Sequence, residues 1–269
     1  LVDGAVSAMI GVALQESRDL VVHNLTHYIT PYNIFEGSYR LFQTVEYWPE
    51  GTTFVSVVDP GVGSKRKSVV ALTNKNQYIV TPDNGTLSFI KKHVGIKAVR
   101  EISEVANRRA NTEHSYTFHG RDVYAYTGAK LASGHISFEE VGPELSVEHI
   151  VEIPTVETEV GSDFVKGAID ILDVRFGSLW TSVTREEFYT LLPEFGDRFE
   201  VTIYNNDMLV YQNQVTYGKS FADVRIGQPL LYINSLYRVG LAINQGSFAK
   251  AYNVGVGQNW HIEIRRIVN

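Results

Sequence analysis

The chain has 269 residues, 44% hydrophobic and 20% charged, a length that fits one large domain or two ordinary ones. Zero cysteines exclude a disulfide scaffold, a thiolate zinc site and a cysteine nucleophile. A formal net charge of -6 and a pI near 5.8 point away from nucleic acid, and the longest near-apolar run, residues 5–14, is too short to span a bilayer. This is the composition of a soluble α/β or α+β protein, expected in the cytoplasm without nucleic acid or membrane as partner. The chain starts at Leu1, not Met, which leaves room for an upstream segment, a signal peptide included.

Residues 3–16 read as a helix, with Val6, Met9, Ile10 and Ala13 at helical spacing. Residues 20–25 are strand-like. Asn33 is placed to cap a helix carrying Ile34, Tyr39, Phe42 and Val45. Residues 54–58 form a nearly continuous apolar strand, as in a sheet covered on both faces. Residues 68–72 and 77–80 follow as strands. Asn84-Gly85 opens a helix with Leu87, Ile90 and Val94 that Gly95 stops. Residues 122–133 are another helix, ended by Gly134. This alternation predicts a layered α/β domain with a largely parallel sheet over 1–150. Residues 151–162 are acidic, aperiodic and contain Pro154, and read as a linker. Beyond it, over 163–269, short alternating runs predict a smaller antiparallel, barrel-like β domain. Residues 199–204 and 208–212 flank the hairpin signal Asn205-Asn206-Asp207; 229–233, 238–243 and 260–267 continue the pattern. Only residues 186–192 look helical.

Several motifs fail. Gly61-Val62-Gly63-Ser64-Lys65-Arg66 starts like a dinucleotide fingerprint but has Arg66 at the third glycine, and no Walker triplet follows. The eight histidines show no familiar ligand spacing, so no metal is expected. Three loops carry chemistry instead. Residues 57–66 leave a buried strand at the sheet's carboxyl end, where α/β folds bind ligands, with Asp59 at the strand tip and Arg66 at the next strand's start. By itself this loop is more simply a turn closed by Asp59 with a surface arginine. Thr81-Pro82-Asp83-Asn84-Gly85-Thr86 is a helix start. Thr117-Phe118-His119-Gly120-Arg121-Asp122 places a histidine beside a glycine at another, a position for an acid, a base or a plain cap. In the second half, Asp173-Val174-Arg175-Phe176-Gly177-Ser178-Leu179-Trp180 sets two aromatics around polar groups, which suits a purine or an ordinary core.

Taken together these loops resemble the S-adenosyl-L-methionine (SAM) hydroxide adenosyltransferases, or SAM hydrolases, relatives of the fluorinases and chlorinases. The resemblance covers nearly the whole chain. It is carried by Asp59-Pro60-Gly61-Val62-Gly63 with Arg66, Pro82-Asp83-Asn84-Gly85, Phe118-His119-Gly120-Arg121-Asp122, Phe176-Gly177-Ser178-Leu179-Trp180-Thr181 and residues 227–235. It implies an α/β domain, a β-barrel-like domain and a homotrimer whose substrate lies between one subunit's N-terminal domain and the next subunit's C-terminal domain. The catalytic Asp, Arg and His fall on Asp59, Arg66 and His119, and the ribose-stacking aromatic falls on Tyr32. Adenine and ribose contacts fall on Asp173, Phe176, Ser178, Trp180, Phe221, Asn234 and Ser235, and Asp3 matches a contact to the methionine end. The family's Ser/Thr-Asp-Phe/Leu-Gly loop would precede Leu1, so truncation or disorder, not natural loss, is the expectation. The implied reaction is SAM plus water giving adenosine and L-methionine, without a cofactor. Arg66 would stabilise hydroxide, His119 would accept a proton or orient the water, and Asp59 would orient either; which one takes the proton stays open. A halogenase on the same fold is the nearest alternative. The resemblance places Tyr at position 59, Tyr-Ser at 119–120 and an insertion near 73–78 in halogenases, none of which this chain has. A SAM- or adenosine-binding module without catalysis is the alternative from another class; it has no need to bring Asp59, Arg66 and His119 together.

Overall fold

The computed structural model describes residues 3–267 and divides into two compact units, 1–153 and 154–269. Unit 1 begins with α1 (Ala5–Glu16) and α2 (Ile34–Val45). The helix start at Asn33 is as the sequence predicts: its Oδ1 accepts the Glu36 N–H at 3.0 Å, and the Glu36 carboxylate accepts the Thr30 N–H at 2.8 Å. There follow β1 (Thr53–Val55), β2 (Ser68–Thr73), β3 (Tyr78–Pro82), α3 (Ser88–His93), β4 (Ile96–Glu101), α4 (Glu104–Asn107), a π-helical turn (Gly120–Ala125), α5 (Tyr126–Ala132) and β5 (Glu144–Leu145). Along β2, side chains alternate between faces. Val69 and Ala71 pack with Leu41, Val45, Leu87 and Ile90; Val70 packs with Val123, Tyr124 and Leu131. The sheet is thus covered on both faces, which is why its strands read as continuous apolar runs.

Two expectations are corrected. Residues 20–25 form no strand; Val21, Val22 and Leu25 are exposed, and an apolar run without a partner strand leaves its backbone to water. The sheet, of order β1-β3-β2-β4-β5, is mixed and not largely parallel: only β1 and β3 run parallel. The reason is chain length. Residues 74–77 are too few for a crossover, so β2 and β3 close as a hairpin, with Asn76 in the left-handed region at φ 56°.

Unit 2 contains β6 (Glu159–Val160), β7 (Phe164–Leu172), β8 (Leu179–Thr184), α6 (Arg185–Tyr189), β9 (Arg198–Asn205), β10 (Met208–Tyr217), β11 (Pro229–Ile233), β12 (Arg238–Ile243), α7 (Phe248–Tyr252) and β13 (Trp260–Arg266). β7 to β13 close on themselves, because β13 pairs with both β9 and β7. The seven-stranded barrel leaves no open edge among those strands. All pairs are antiparallel except β10 and β11, which the long connection 218–228 brings back in parallel. The predicted hairpin forms, turning at Asn206, whose φ is 51°. The barrel core includes Ile169, Leu179, Phe188, Phe199, Val201 and Ile262.

Candidate active site

In unit 1 Asp59 and Arg66 meet where β1 ends and β2 begins. Ser56 N–H still bonds Val80 C=O at 3.0 Å, after which the chain turns through residues 59–66. Gly63 makes that turn possible. Its φ is 77°, and a Cβ there would stand 3.0 Å from the Tyr116 carbonyl oxygen. Asn84 fixes the other side, donating from Nδ2 to the Val58 carbonyl at 2.8 Å. The Pro82-Asp83-Asn84-Gly85 segment therefore holds the Asp59 loop in place.

Asp59 and Arg66 form a two-pronged ion pair. Arg66 Nε donates to Asp59 Oδ1 at 2.8 Å, and Arg66 Nη2 donates to Asp59 Oδ2. The Arg66 and Asp59 side chains are only 12% and 5% exposed. The third guanidinium nitrogen donates to Ser68 Oγ at 2.9 Å, Ser68 Oγ lies 3.0 Å from the Tyr124 hydroxyl, and the guanidinium sits 5.6 Å over the Tyr124 ring. Burial lowers the Arg66 pKa, but the hydrogen bond to Asp59 and the neighbouring acidic groups Tyr124, Asp59 and Glu104 outweigh it and leave it raised. Arg66 is a fixed cation.

His119 lies at the head of the π-helical turn, a local irregularity frequent at functional sites. Its ring is 4% exposed and lies 6.5 Å from the Tyr124 ring and 6.1 Å from the Tyr116 ring. Nε2 stands 3.2 Å from Arg108 Nη2 and 3.5 Å from Glu104 Oε1, while Nδ1 is buried without a hydrogen-bond partner. Burial is the first cause of a lowered His119 pKa; Glu104 opposes it, Arg108 and Arg66 add to it, and Asp59 opposes it. Asp59, Arg66 and His119 thus belong to one electrostatic cluster. Tyr32 is 79% exposed with φ 69°, an uncommon backbone conformation for a bulky residue. Asp3, also exposed, accepts the Ala5 N–H at the start of α1 at 2.9 Å.

Unit 2 gathers most of its candidates around a residue the sequence reading missed, Tyr232. Trp180, Gly240 and Tyr232 are cross-strand neighbours on β8, β12 and β11. Trp180 Nε1 donates to the Tyr232 hydroxyl at 3.0 Å. A Cβ on Gly240 would lie 2.6 Å from the Tyr232 ring, so glycine clears the space for that ring. Phe221 packs on Tyr232 with ring centroids 5.0 Å apart. Burial raises the Tyr232 pKa; hydrogen bonds from Trp180 and Ser178 oppose this and the Asp173 charge adds to it, which places both Ser178 and Asp173 in its reach. Phe176 is 67% exposed in the loop that Asp173 closes, where Asp173 C=O accepts the Gly177 N–H at 2.6 Å. Asn234 Oδ1 accepts the Leu236 and Arg238 N–H groups at 2.9 and 3.1 Å and fixes the β11–β12 turn; its buried Nδ2 has no partner. Ser235 is exposed in that turn.

Ser68, Glu104, Arg108, Tyr116 and Tyr124 also escaped the sequence reading. Glu104 and Arg108 show only an i,i+4 charge pair, which ordinarily reads as a solvated helix face. Among the described residues, no three His, Asp or Glu side chains are grouped to hold a metal ion, and no helix is long and apolar enough to cross a membrane.

Comparison with known proteins bears on both units. An (R)-S-adenosyl-L-methionine hydrolase from Methanocaldococcus jannaschii is 35% identical over 189 residues, which are 69% of this chain and 64% of that protein. One from Thermus thermophilus is 30% identical, covering 96% of this chain and 93% of that protein. A fluorinase from Actinopolyspora mzabensis is 25% identical, covering 96% and 92%. The crystal structure of an uncharacterized conserved protein from Thermotoga maritima superposes with a TM-score of 0.90 at 29% identity, covering 99% of this chain and 97% of that one. The SAM hydroxide adenosyltransferase N-terminal domain family matches residues 1–142, and the corresponding C-terminal domain family matches residues 167–261. With both domains matched in their proper order, the chain belongs to the SAM hydroxide adenosyltransferase family.

Proposed function

We propose that the protein hydrolyses SAM to adenosine and L-methionine by in-line attack of water or hydroxide on the ribose 5′ carbon. The observation that carries this reading is the buried Asp59–Arg66 pair with His119 in the same charged cluster, in a chain whose hydrolase relatives match it at 28–35% identity. The sulfonium lets methionine leave as a neutral thioether, so the departure needs no general acid, metal or cofactor. The demanding part is the nucleophile. A fixed guanidinium stabilises hydroxide character as it develops, and Asp59 locks that guanidinium in orientation. Tyr232 and Phe221, with the buried Trp180 hydrogen-bonded to Tyr232, are assigned to adenine, with Ser178 and Asp173 at its polar edge; Phe176, Asn234 and Ser235 are assigned to the adenine and ribose region, Tyr32 to the ribose, and Asp3 to the methionine end.

The halogenase reading is weaker because of Asp59. A halide approaching Arg66 would meet a carboxylate already paired to it, and like charges repel. A homotrimer with sites shared between subunits is part of the proposal. Its support is the division of labour along the chain: Asp59, Arg66 and His119 lie in unit 1, and the candidate adenine residues lie in unit 2. A cytoplasmic setting rests on the acidic, cysteine-free composition. Incubation with SAM and chromatography of the products tests the reaction. Adenosine and methionine in equal amounts are expected; unchanged SAM in a folded sample refutes it.

A further inference from the structure

We propose that Arg108 and Glu104 are positioning residues that hold His119 as the neutral Nδ1–H tautomer, so that His119 serves the reaction as a hydrogen-bond donor and not as its base. The part about the reaction rests on the reading given under Proposed function; the part about the ring does not.

A guanidinium has five N–H donors and no acceptor. Arg108 Nη2 stands 3.2 Å from His119 Nε2, nearer than Glu104 Oε1 at 3.5 Å, and since Arg108 can only donate, a hydrogen bond between them uses the Nε2 lone pair. A neutral imidazole carries one proton, which then lies on Nδ1. Arg108 is held in that pose from two sides. Glu104 Oε2 accepts from Arg108 Nε at 3.1 Å and from Nη2 at 2.7 Å, and the Tyr116 ring lies 4.6 Å from the guanidinium carbon. The Arg108 side chain is 7% exposed, so the contact is not a loose surface encounter. The charged groups facing His119 are Glu104 from α4 and Arg108 just after it, and Asp59 and Arg66 from the loop into β2; Tyr116 and Tyr124 flank the ring.

Neither ring nitrogen is then free to take a proton. Nε2 is committed to Arg108, and protonating it would set N–H against N–H beside a second cation, Arg66. Nδ1 already carries its proton, and its buried N–H is the one ring group without a partner, so it is the group left to bond the attacking oxygen. In the reaction the oxygen–C5′ bond forms as the C5′–S bond breaks, and the C–S electron pair stays on sulfur. Charge balance requires one proton to be released: SAM cation plus water gives adenosine, zwitterionic methionine and a proton. On this account the proton passes to solvent, not to His119, which holds the attacking oxygen through Nδ1–H.

The test is 15N NMR of the full chain labelled at histidine, recorded without SAM at pH 7.5. His119 is identified as the signal missing in His119→Asn. Nδ1 protonated and Nε2 unprotonated is the expected result. In Arg108→Met the remaining neighbour of Nε2 is the Glu104 carboxylate, so the proton should move to Nε2 and the ring should titrate at higher pH. An Nε2–H tautomer in the parent, or an unchanged tautomer in folded Arg108→Met, overturns the proposal. Should Arg108→Met not fold, the parent spectrum decides alone. The reaction arm uses SAM turnover. His119→Asn, whose amide N–H replaces Nδ1–H, should keep at least about a tenth of the rate, while His119→Ala loses on the order of a hundred-fold. Equal losses overturn the donor role. Because the spectrum needs no substrate, failure of the tautomer assignment is distinct from failure of the SAM reading.

Discussion

Removing both members of the Asp59–Arg66 pair should cost no more than removing either one. The pair is buried and two-pronged, with side-chain exposures of 5% and 12%. Arg66→Met strands a carboxylate in a site it shares with the buried Tyr124 ring, and Asp59→Leu strands a guanidinium there. Losing one partner of a buried pair costs about 3–5 kcal/mol. Arg66 also bonds Ser68, which softens the loss on that side, so about 3 kcal/mol is the estimate for each single variant. The double variant holds neither stranded charge and should cost no more than either single variant, at most about 3 kcal/mol, where additivity would give about 6; the coupling is about 3 kcal/mol or more. With a urea slope of about 2 kcal/mol/M, each single variant loses about 1.5 M in midpoint and the double variant no more. Hydrogen-exchange mass spectrometry of peptides from β2 and β3 across a urea series reads unit 1 by itself. A double variant whose midpoint falls by about 3 M would mean that the two side chains do not depend on each other, and the buried-pair account would be wrong.

The lowered His119 pKa gives stability a pH slope. The unfolded ring binds its proton near the ordinary value of 6.5 and the folded ring only at lower pH, so the contribution is complete above about pH 6.5 and declines as pH falls toward the folded value. Replacing His119 by Asn should flatten that slope in an unfolding series from pH 7 to 5, and an unaltered slope counts against a buried neutral ring. Gly240→Ala should push the Tyr232 ring off its seat, at a cost of about 1–3 kcal/mol, and weaken adenosine binding measured by calorimetry; undiminished affinity removes Tyr232 from the site. Mixing inactive His119→Ala subunits with inactive Trp180→Ala subunits should restore partial activity after exchange, because some shared sites then receive two intact halves. Continued inactivity despite verified exchange places each site within one chain.

Much of this was legible in the sequence. The two-part layout followed from the switch of hydrophobic period near residue 151, and the helix starts at Asn33 and the hairpin turn at Asn206 followed from local chemistry. Strand direction was not legible. The apolar runs 68–72 and 77–80 look alike in either direction, and only the short connection between them decides it. Residues 20–25 show the converse, a strand-like run that finds no partner strand. Within the site, Asp59, Arg66 and His119 lie in loops marked by glycines and element ends, and the resemblance to the SAM hydroxide adenosyltransferases singled them out as catalytic. Tyr232, Tyr124 and Ser68 did not stand out, since a tyrosine on a strand or in a helix looks like core until its hydroxyl is seen to meet Trp180 Nε1 or Ser68 Oγ. Arg108 and Glu104 were hidden by their i,i+4 spacing, which says nothing of the histidine they face.

The central claim is that water, placed by the Asp59–Arg66–His119 cluster, attacks the 5′ carbon of SAM. Turnover in 18O-labelled water, with chloride and fluoride present, examines it directly by mass spectrometry of the nucleoside. The account predicts one 18O atom on the 5′-hydroxyl of adenosine, equimolar methionine and no halogenated nucleoside. Unlabelled adenosine, or a 5′-halogenated product that grows with halide concentration, would contradict it.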